Sequence, residues 1–276
     1  MGAILLHVDP RIQPDDAEPR PIEGEWRAML LGTHPQFRMG RGLFRRLPRE
    51  PRCKFCASPF AGPAAPLMRL IDKGPWPPNP KYCGSCFKLL TKQRGGAEIP
   101  CSLLFADIRG STTLAESMTP TEFKALLGRF YDAAGRVLVE HDAIVDKVIG
   151  DEVFGIFIPA LTGDRHAARA VAAAQALLSA TGHASGAPWV PVGVGVHTGV
   201  AFVGSVGAGE NVELTALGDP VNVTARLASA AGAGEVLVTV DAARAAQLDE
   251  SGLEHRSLEL KGKSEPVPVF VLSASV

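Results

Sequence analysis

Two apolar runs within the segment Cys101–Gly155 end at acidic residues, and this pattern constrains the fold more than any other feature of the chain. The run Leu103–Ala106 predicts a buried strand that stops at Asp107. The second run is interrupted at Gly150-Asp151, which predicts a hairpin because glycine adopts positive φ without steric cost. Two carboxylates at neighbouring strand ends are suited to holding divalent metal ions against a triphosphate.

The residues that follow Asp107 predict a polar turn leading into a helix. This turn contains Ile108, Gly110, Ser111 and Thr112. A helix N-terminus offers backbone N–H groups without partners inside the helix, and these groups suit a phosphate. We therefore expect Gly110, Ser111 and Thr112 to contact phosphate groups of a ligand.

Predicted helices and strands alternate through the rest of this region. The segment Thr119–Glu122 is a capping box with Pro120 at the first helical position, and apolar residues at helical spacing follow it. Asp219 is expected to cap a later helix. Strands mixed with long helices predict an α/β or α+β fold in which the helices pack on the sheet. The other expected elements are a helix at Asp164–Ala180, strands at Val192–Val196, Val200–Val203, Glu235–Val240, Leu258–Leu260 and Val267–Leu272, and a turn at His197–Gly199.

The first hundred residues differ in composition from the rest of the chain. They contain 15 of the 22 prolines, so we expect this part to be turn-rich and irregular. Residues 1–23 are predicted to form a poorly ordered tail. Short helices are predicted at Glu25–Leu31, with Trp26 and Leu30 on one side, and at Phe87–Arg94.

Four of the five cysteines form two CxxC pairs separated by 26 residues, and this spacing predicts a metal site at Cys53, Cys56, Cys83 and Cys86. Two such turns can bring four thiolates into the tetrahedron that structural zinc prefers. The proline-rich stretch between the pairs has few apolar residues that could form a core, so it needs a metal cross-link to fold. Zinc is the favoured ion. An iron–sulfur cluster or a mononuclear iron uses the same ligands, and four unligated thiols are the remaining interpretation.

A basic segment lies between Gln36 and Cys56, where seven basic residues stand against a single acid, Glu50. One interpretation is a solvated and partly flexible segment. The other is a contact surface for an acidic partner, a nucleotide phosphate or an anionic lipid. The seven basic residues are Arg38, Arg41, Arg45, Arg46, Arg49, Arg52 and Lys54.

Charge and hydropathy argue against several classes of partner. The formal net charge of −1 gives the chain no general attraction for nucleic acid or membranes. No apolar run reaches the ~18 residues that a membrane helix needs, and the apolar start Met1–Asp9 lacks the basic flank and cleavage site of a secretory signal. The CxxC pairs fit an intracellular metal site better than a secreted disulfide scaffold. We therefore expect a cytoplasmic protein without a transmembrane segment or a nucleic-acid partner.

Five motifs follow one another in the second part of the chain: FADIRGST, KVIGD, the pair GVHTG and VGSVG, LGDPVNVTARL, and LKGKSEPVPVF. In this order they resemble a class III nucleotidyl cyclase domain, and the resemblance covers about Glu98–Leu272. It implies the fold of that family, an α+β sheet with helices packed on it. We accordingly divide the chain into a tail and short helix (1–35), a basic segment with the four-cysteine module (36–96), and a catalytic domain (97–276).

The resemblance implies a two-metal site with defined roles for its residues. Asp107, Asp151 and the carbonyl of Ile108 would hold two Mg²⁺ or Mn²⁺ ions. Asn222 would orient the ribose, and Arg226, on the same helix face, would bind the α-phosphate as its charge develops. An ordinary strand-end acid, turn acid or surface arginine is the alternative for each of these side chains taken alone.

The resemblance also implies which residues recognise the nucleotide. Lys147 and Thr215 would read the base, since a lysine donates to N1 of adenine and a hydroxyl accepts from N6. Many members of the family carry aspartate where this chain has Thr215, and a neutral hydroxyl discriminates less between adenine and guanine. Lys261 would contact the triphosphate, with Lys263 as the alternative. A solvated turn is the other interpretation of these two lysines.

These roles predict an adenylate cyclase that converts ATP to cyclic AMP and pyrophosphate. In the family the site is split between two chains. This chain carries both halves, so we expect a head-to-tail homodimer with two competent sites. A guanylate cyclase and a cyclase-fold module that binds nucleotide without turnover are the alternatives. Lys147 argues against GTP as the substrate, and the complete set of catalytic residues argues against a silent module.

Overall fold

The structure, a computed structural model, describes residues 21–44, 51–77, 79–92, 94–208 and 211–274. The predicted tail at 1–20 lies outside the described residues. The first part of the fold consists of short helices and a two-stranded antiparallel ribbon. Its elements are α1 (Pro21–Leu30), α2 (Pro35–Phe44), α3 (Ala65–Leu70), β1 (Pro75–Trp76), β2 (Asn79–Cys83) and α4 (Gly84–Lys92).

Two helices in this part begin earlier than predicted. Helix α1 begins at Pro21, so Pro21–Glu23 are helical and do not belong to a tail; proline is well suited to the start of a helix. Trp26 and Leu30, expected on one side of this helix, are both fully buried. Helix α4 begins at Gly84 instead of Phe87, because the second CxxC turn leads directly into its first turn.

The second part is a mixed sheet covered by helices on both faces, which confirms the α+β prediction. The strand order is β4-β5-β3-β6-β8-β10-β9, with β7 paired to β6. Only the β6–β8 pair is parallel among the pairs of described strands. The elements are β3 (Gly96–Ile108), α5 (Ser111–Ser117), α6 (Pro120–Glu140), β4 (Ile144–Ile149), β5 (Glu152–Phe157), α7 (Pro159–Thr162), α8 (His166–Ala180), β6 (Val192–Ala208), β7 (Asn211–Leu217), α9 (Asp219–Ala230), β8 (Val236–Thr239), α10 (Val240–Ala246), β9 (Glu254–Leu258) and β10 (Val267–Leu272).

The two faces of the sheet bury separate groups of apolar side chains. Leu104 packs with Phe130 and Leu177 in the layer formed by α6, α8 and α10. Leu103, one residue earlier, packs with Trp26 of α1 on the opposite face, because successive side chains of a strand point to opposite faces. The N-terminal helix therefore shares the core of the large sheet. Within the described ranges, no helix combines the length and apolar character needed to cross a membrane.

Strand β6 is continuous, so the turn predicted at His197–Gly199 is wrong. Gly199, the glycine of the predicted turn, lies within the strand, where a Cβ atom would be 3.0 Å from Cγ of Pro220 in α9. Two other glycines of β6 face the end of the same helix. A Cβ atom at Gly195 would lie 2.5 Å from the backbone nitrogen of Ala228, and one at Gly193 would lie 2.7 Å from the carbonyl oxygen of Ala231. These glycines therefore allow a close approach of helix to strand and do not mark a turn.

Two other strand predictions need correction. Strand β3 begins at Gly96 and runs through Asp107, because it pairs with β6 along its whole length, and Cys101 lies in its middle as a buried residue. Strand β9 occupies Glu254–Leu258 instead of Leu258–Leu260. It is an edge strand with largely exposed side chains, so no apolar run marks it in the sequence.

The helix predictions are more accurate, since their signals are local. In the capping box before α6, the Thr119 hydroxyl accepts from the Glu122 backbone N–H at 3.3 Å, and the Glu122 carboxylate accepts from the Thr119 N–H at 2.9 Å. Helix α8 begins at His166, after a single 3₁₀ turn that includes the predicted start. Asp219 is the first residue of α9 and does not cap it; the N-cap position belongs to Gly218.

Gly195→Ala tests the packing of α9 on β6. We expect this substitution to lower the free energy of unfolding by about 1–3 kcal/mol, because the added methyl group overlaps helix backbone that cannot rotate away. Chemical denaturation provides the measurement. The matched control is Gly128→Ala in α6, where a Cβ atom meets nothing within 4 Å, and this variant should be as stable as the parent or slightly more so. Equal stability of the two variants would contradict the close packing.

Candidate functional site

The predicted metal-binding acids lie at the same edge of the sheet. Asp107, near the end of β3, is directly opposite Glu152, the first residue of β5. Asp151 precedes Glu152 in the hairpin, and its carbonyl accepts a hydrogen bond from the Ile108 N–H at 3.2 Å. Gly150 adopts φ +61° in this hairpin, as predicted. The backbone therefore brings Asp107, Ile108 and Asp151 together.

The charges at this edge do not balance. Asp107 forms an ion pair with Arg109, whose Nη1 also donates to the Ser229 carbonyl at 2.7 Å. Burial raises the pKa of Glu152, and the negative charge of Asp151 raises it further. Burial lowers the pKa of Arg109, although Asp151 and Glu152 oppose this effect. Three carboxylates thus stand around one guanidinium, and an excess of negative oxygen ligands fits a divalent cation.

The predicted phosphate-binding turn lies beside these acids. Gly110 has φ +66° and is the N-cap residue of α5, with no side chain bonded across the helix start. The helix itself begins at Ser111, and Thr112 is exposed. On the other side of the acids, the Tyr131 hydroxyl of α6 donates to the Gly150 carbonyl and ties the hairpin to that helix.

A second group of predicted residues surrounds helix α9. Asn222 is exposed in its first turn, and Arg226 lies one turn later. The Arg226 guanidinium lies against Gly262, where a Cβ atom would be 3.4 Å from Nη2. Lys261 is exposed on this same turn. Lys263, the alternative phosphate contact, instead forms an ion pair with the Asp219 carboxylate.

The two groups are separated within one chain. Asp107 is opposite Gly193 of β6, whereas Pro220, at the start of α9, packs on Gly199 of the same strand. Six residues of strand correspond to about 20 Å, so the start of α9, which carries Asn222, is distant from Asp107. The last turn of α9 is nearer, since the Ser229 carbonyl accepts from Arg109, the ion-pair partner of Asp107. Arg226 also reaches toward the turn between β9 and β10, on the side of the sheet away from β5. Within the described residues of one copy, Asn222 thus lies near the Gly199 end of β6 and Arg226 lies against Gly262, apart from the backbone edge that carries Asp107 and Asp151.

The predicted base-reading residues come from strands β4 and β7. Thr215 of β7 is buried, and its hydroxyl donates to Oδ2 of Asp146 on β4. Lys147 follows Asp146 on β4, and the side chain of Lys147 lies outside the described part of the structure. The Thr215–Asp146 contact nevertheless brings together the two strands that carry the predicted pair.

The four predicted metal-binding cysteines converge as expected. The Sγ atoms of Cys53, Cys56, Cys83 and Cys86 all lie within 4.8 Å of one another, and all four residues are buried. Cys53 Sγ accepts a hydrogen bond from the Cys83 N–H at 3.3 Å. Hydrogen bonds from Cys53 and Cys56 lower the pKa of the Cys83 thiol, which favours a thiolate in the cluster.

The cysteine module is joined to the sheet by charge. Asp142, between α6 and β4, is 4% exposed and has φ +67°. It forms ion pairs with Lys54, inside the first CxxC turn, at 3.2 Å and with Lys81, two residues before Cys83, at 3.8 Å. Arg169 of α8 lies 3.9 Å from the same carboxylate. The first CxxC turn and strand β2, which leads into the second CxxC turn, thus each supply a cation to one buried acid of the large unit.

Part of the basic segment binds the protein's own backbone. Arg41 donates to the Phe55 carbonyl at 2.8 Å and to the Ala160 carbonyl of α7 at 3.4 Å. Arg52 donates to the Phe44 carbonyl at 2.6 Å. These arginines are therefore structural, which neither interpretation of the segment anticipated. Arg45, Arg46 and Arg49 lie outside the described residues.

Several residues of the site escaped the sequence analysis. Arg109 and Glu152 lie within two residues of the predicted acids, so the unusual density of charge there was an available signal. Asp146 and Asp142 carried no such signal, because their importance depends on Thr215 and Lys54, which are distant along the chain.

The described fold and motifs match known proteins. A family model described as the adenylate and guanylate cyclase catalytic domain matches residues 97–273. Adenylate cyclase 1 of Rhizobium meliloti is 38% identical over 130 residues, covering 45% of this chain and 20% of that protein. Adenylate cyclase of Anabaena cylindrica is 30% identical over 184 residues, covering 63% of this chain and 36% of that protein. The chain therefore spans only a fifth to about a third of these relatives.

Solved structures support the same assignment. The guanylyl cyclase Cya2 is 25% identical with a TM-score of 0.60, covering 65% of this chain and 94% of that one. The adenylyl cyclase CyaB from P. aeruginosa is 26% identical with a TM-score of 0.58, covering 66% of this chain and 97% of that one. The predicted resemblance and its fold are thus confirmed.

Asp142→Asn tests the ionic contact between the cysteine module and the sheet. We expect it to lower the free energy of unfolding by about 1–3 kcal/mol, because two lysines lose a buried charged partner. Asparagine tolerates positive φ, so the backbone is unaffected. The matched control is Asp72→Asn, which also has positive φ but forms an exposed ion pair with Lys88. Its effect should stay within about 0.5 kcal/mol by the same denaturation measurement. An equally small effect of Asp142→Asn would contradict the proposed contact.

Proposed function

We propose that this chain, which belongs to the adenylate and guanylate cyclase catalytic domain family, converts ATP to 3′,5′-cyclic AMP and pyrophosphate at a site shared by two copies. The observation that carries the proposal is the separation of two complementary groups in one chain. Asp107 and Asp151 form one group, and Asn222 and Arg226 belong to the other. A symmetric dimer would unite the first group of each copy with the second group of its twin, giving two sites.

The acidic group suits two Mg²⁺ or Mn²⁺ ions, because its ligands are carboxylate and carbonyl oxygens and its charge is in excess. When bound, such ions would make the ribose 3′ hydroxyl more acidic and would neutralise negative charge on the phosphates. Asp107 and Asp151 would hold the ions, together with the carbonyl of Ile108. The start of α5, at Gly110 and Ser111, would place backbone N–H groups beside the phosphates.

The group around α9 would bind and orient the nucleotide from the other copy. Arg226 would stabilise the charge that develops at the α-phosphate, since a guanidinium stays charged and presents several donors in a plane. Asn222 would hold the ribose so that its 3′ oxygen faces that phosphorus atom. Lys261 would contact the triphosphate; it is exposed, whereas Lys263 is already paired with Asp219.

ATP is the substrate that the base-reading residues favour. Lys147 would donate to N1 of adenine, and Thr215 would accept from N6. Guanine presents a donor at N1 and an acceptor at O6, so the same two residues fit it poorly. The adenylate cyclase names of the two bacterial relatives agree with this assignment.

The four-cysteine cluster would hold one structural Zn²⁺. A tetrahedral site with Zn–S bonds of about 2.3 Å has sulfur atoms about 3.8 Å apart. Cys56 and Cys83 have their Sγ atoms 3.8 Å apart, so little movement is needed for binding. An iron–sulfur cluster is the alternative occupant.

A mixing experiment tests the shared site. Asp107→Ala and Asn222→Ala proteins should each lose cyclase activity with ATP and Mn²⁺. After unfolding and refolding together in equal amounts, they should recover about a quarter of wild-type activity, since half of the dimers would be mixed and hold one intact site of two. Cyclic AMP formation is the measurement, and differently tagged copies show whether mixed dimers form.

Each other outcome of this experiment has a clear meaning. Mixed dimers without activity would contradict the shared site. Wild-type protein that converts GTP and not ATP would be a guanylate cyclase, and protein that binds both nucleotides without product would be a binding module.

Metal analysis tests the cysteine cluster. Protein purified without oxygen should contain about one zinc per chain, and Cys86→Ser should lose the metal and unfold at a lower temperature, because the proline-rich loop loses its metal cross-link. The control is Cys101→Ala, a buried cysteine in β3 outside the cluster, which should retain the metal. Iron with inorganic sulfide would identify the alternative cluster, and wild-type protein without any metal would refute the site.

A further inference from the structure

Thr215, the residue proposed to accept from adenine N6, is 5% exposed and bonded to an acid from another strand. Its hydroxyl donates to Oδ2 of Asp146. Among the described residues, the other acceptor near this hydroxyl is the carbonyl of Ala216, which is 3.5 Å away and therefore forms a much weaker bond. The Thr215 hydroxyl therefore directs its proton toward the Asp146 carboxylate.

The backbone of β4 is irregular where Asp146 stands. Val145 pairs with Gly155 of β5, but Val148 pairs with Val153, so two residues of β4 lie opposite the single residue between them. Such a β-bulge interrupts the regular alternation of side chains and redirects them. Strand β4 is an edge strand of the sheet, and bulges are over-represented both at sheet edges and next to active sites. Here the bulge coincides with a carboxylate that reaches across to β7.

We infer that Asp146 is a positioning residue for base selection, because it fixes the Thr215 hydroxyl as a hydrogen-bond acceptor. This inference rests on the proposed function. A hydroxyl has one proton and two lone pairs, and a carboxylate accepts hydrogen bonds without donating them. Once the proton points to Asp146, only lone pairs of the Thr215 oxygen remain for a nucleotide base.

A hydroxyl fixed in this way distinguishes the two purines. The N6 amino group of adenine is a donor and finds an acceptor. The O6 atom of guanine is an acceptor and meets a second acceptor, leaving both without a proton to share. A hydroxyl free to rotate would accept from adenine and donate to guanine equally well. Asp146 therefore supplies the selectivity that a neutral threonine lacks by itself.

Asp146→Val tests this assignment through the ratio of kcat/KM for ATP to kcat/KM for GTP. We expect the ratio to fall about tenfold, because the freed hydroxyl can donate to guanine O6. Thr215→Val should lower the ratio as well, and adding Asp146→Val to Thr215→Val should change it no further. A residue that merely supports the fold would not show this dependence on the threonine. The control, Asp132→Val on the exposed side of α6, should leave the ratio unchanged.

Two further measurements keep the test decisive. If Asp146→Val folds poorly, Asp146→Asn removes the charge at constant shape and should lower the ratio by a smaller factor. If turnover is too slow, equilibrium binding of ATP and GTP should show the same loss of preference. A wild-type preference for ATP that survives Asp146→Val and Asp146→Asn would overturn the inference alone. A wild-type protein that prefers GTP, or that forms no product, would overturn the proposed function and this inference with it.

Discussion

The antiparallel pairing of β3 with β6 is the interaction on which the rest of the structure depends. It extends without a break from Gly96↔Gly204 to Ile108↔Val192. One end of this ladder presents Asp107 beside the β4–β5 hairpin, while the glycines of β6 seat α9 against its face. Because both groups of catalytic candidates are attached to the same rigid pair of strands, the distance between them is fixed. The proposed dimer would bring the complementary groups of two copies together.

Charge links the cysteine module to this sheet. Asp142 lies where α6 turns into β4, and its lysine partners lie in the first CxxC turn and in β2, just before the second. Strand β4 continues to Asp146 and to the hairpin that carries Asp151. The module therefore contacts the residue that leads into the strand on which Lys147, the proposed base-reading residue, lies. Burying a carboxylate costs free energy unless the carboxylate is paired with a cation. Removing either lysine should therefore destabilise the contact between the cysteine module and the sheet.

Much of the site could be predicted from the sequence because its motifs are short and local. The hairpin at Gly150, the convergence of the cysteines and the start of α6 were predicted correctly. The predicted turn in β6 was wrong because glycine is used there for close packing, which only a neighbouring helix makes visible. Edge strand β9 was predicted at the wrong residues because an exposed strand has no apolar pattern in the sequence. Arg41 and Arg52 of the basic segment were misread because their partners are backbone carbonyls of other parts of the fold.

By itself, the sequence determined what depends on neighbours along the chain: helix starts, the tight hairpin, the spacing of the four clustered cysteines and the motifs of the family. These are consequences of φ preferences, side-chain periodicity and capping bonds within a few residues. Only the tertiary structure decided that β6 is one strand, that Asp142 pairs with Lys54 and Lys81 of the cysteine module, and that Asp146 accepts from the hydroxyl of Thr215. Strand register, burial and contact between residues dozens of positions apart are set by the packed sheet as a whole, and no local pattern encodes them.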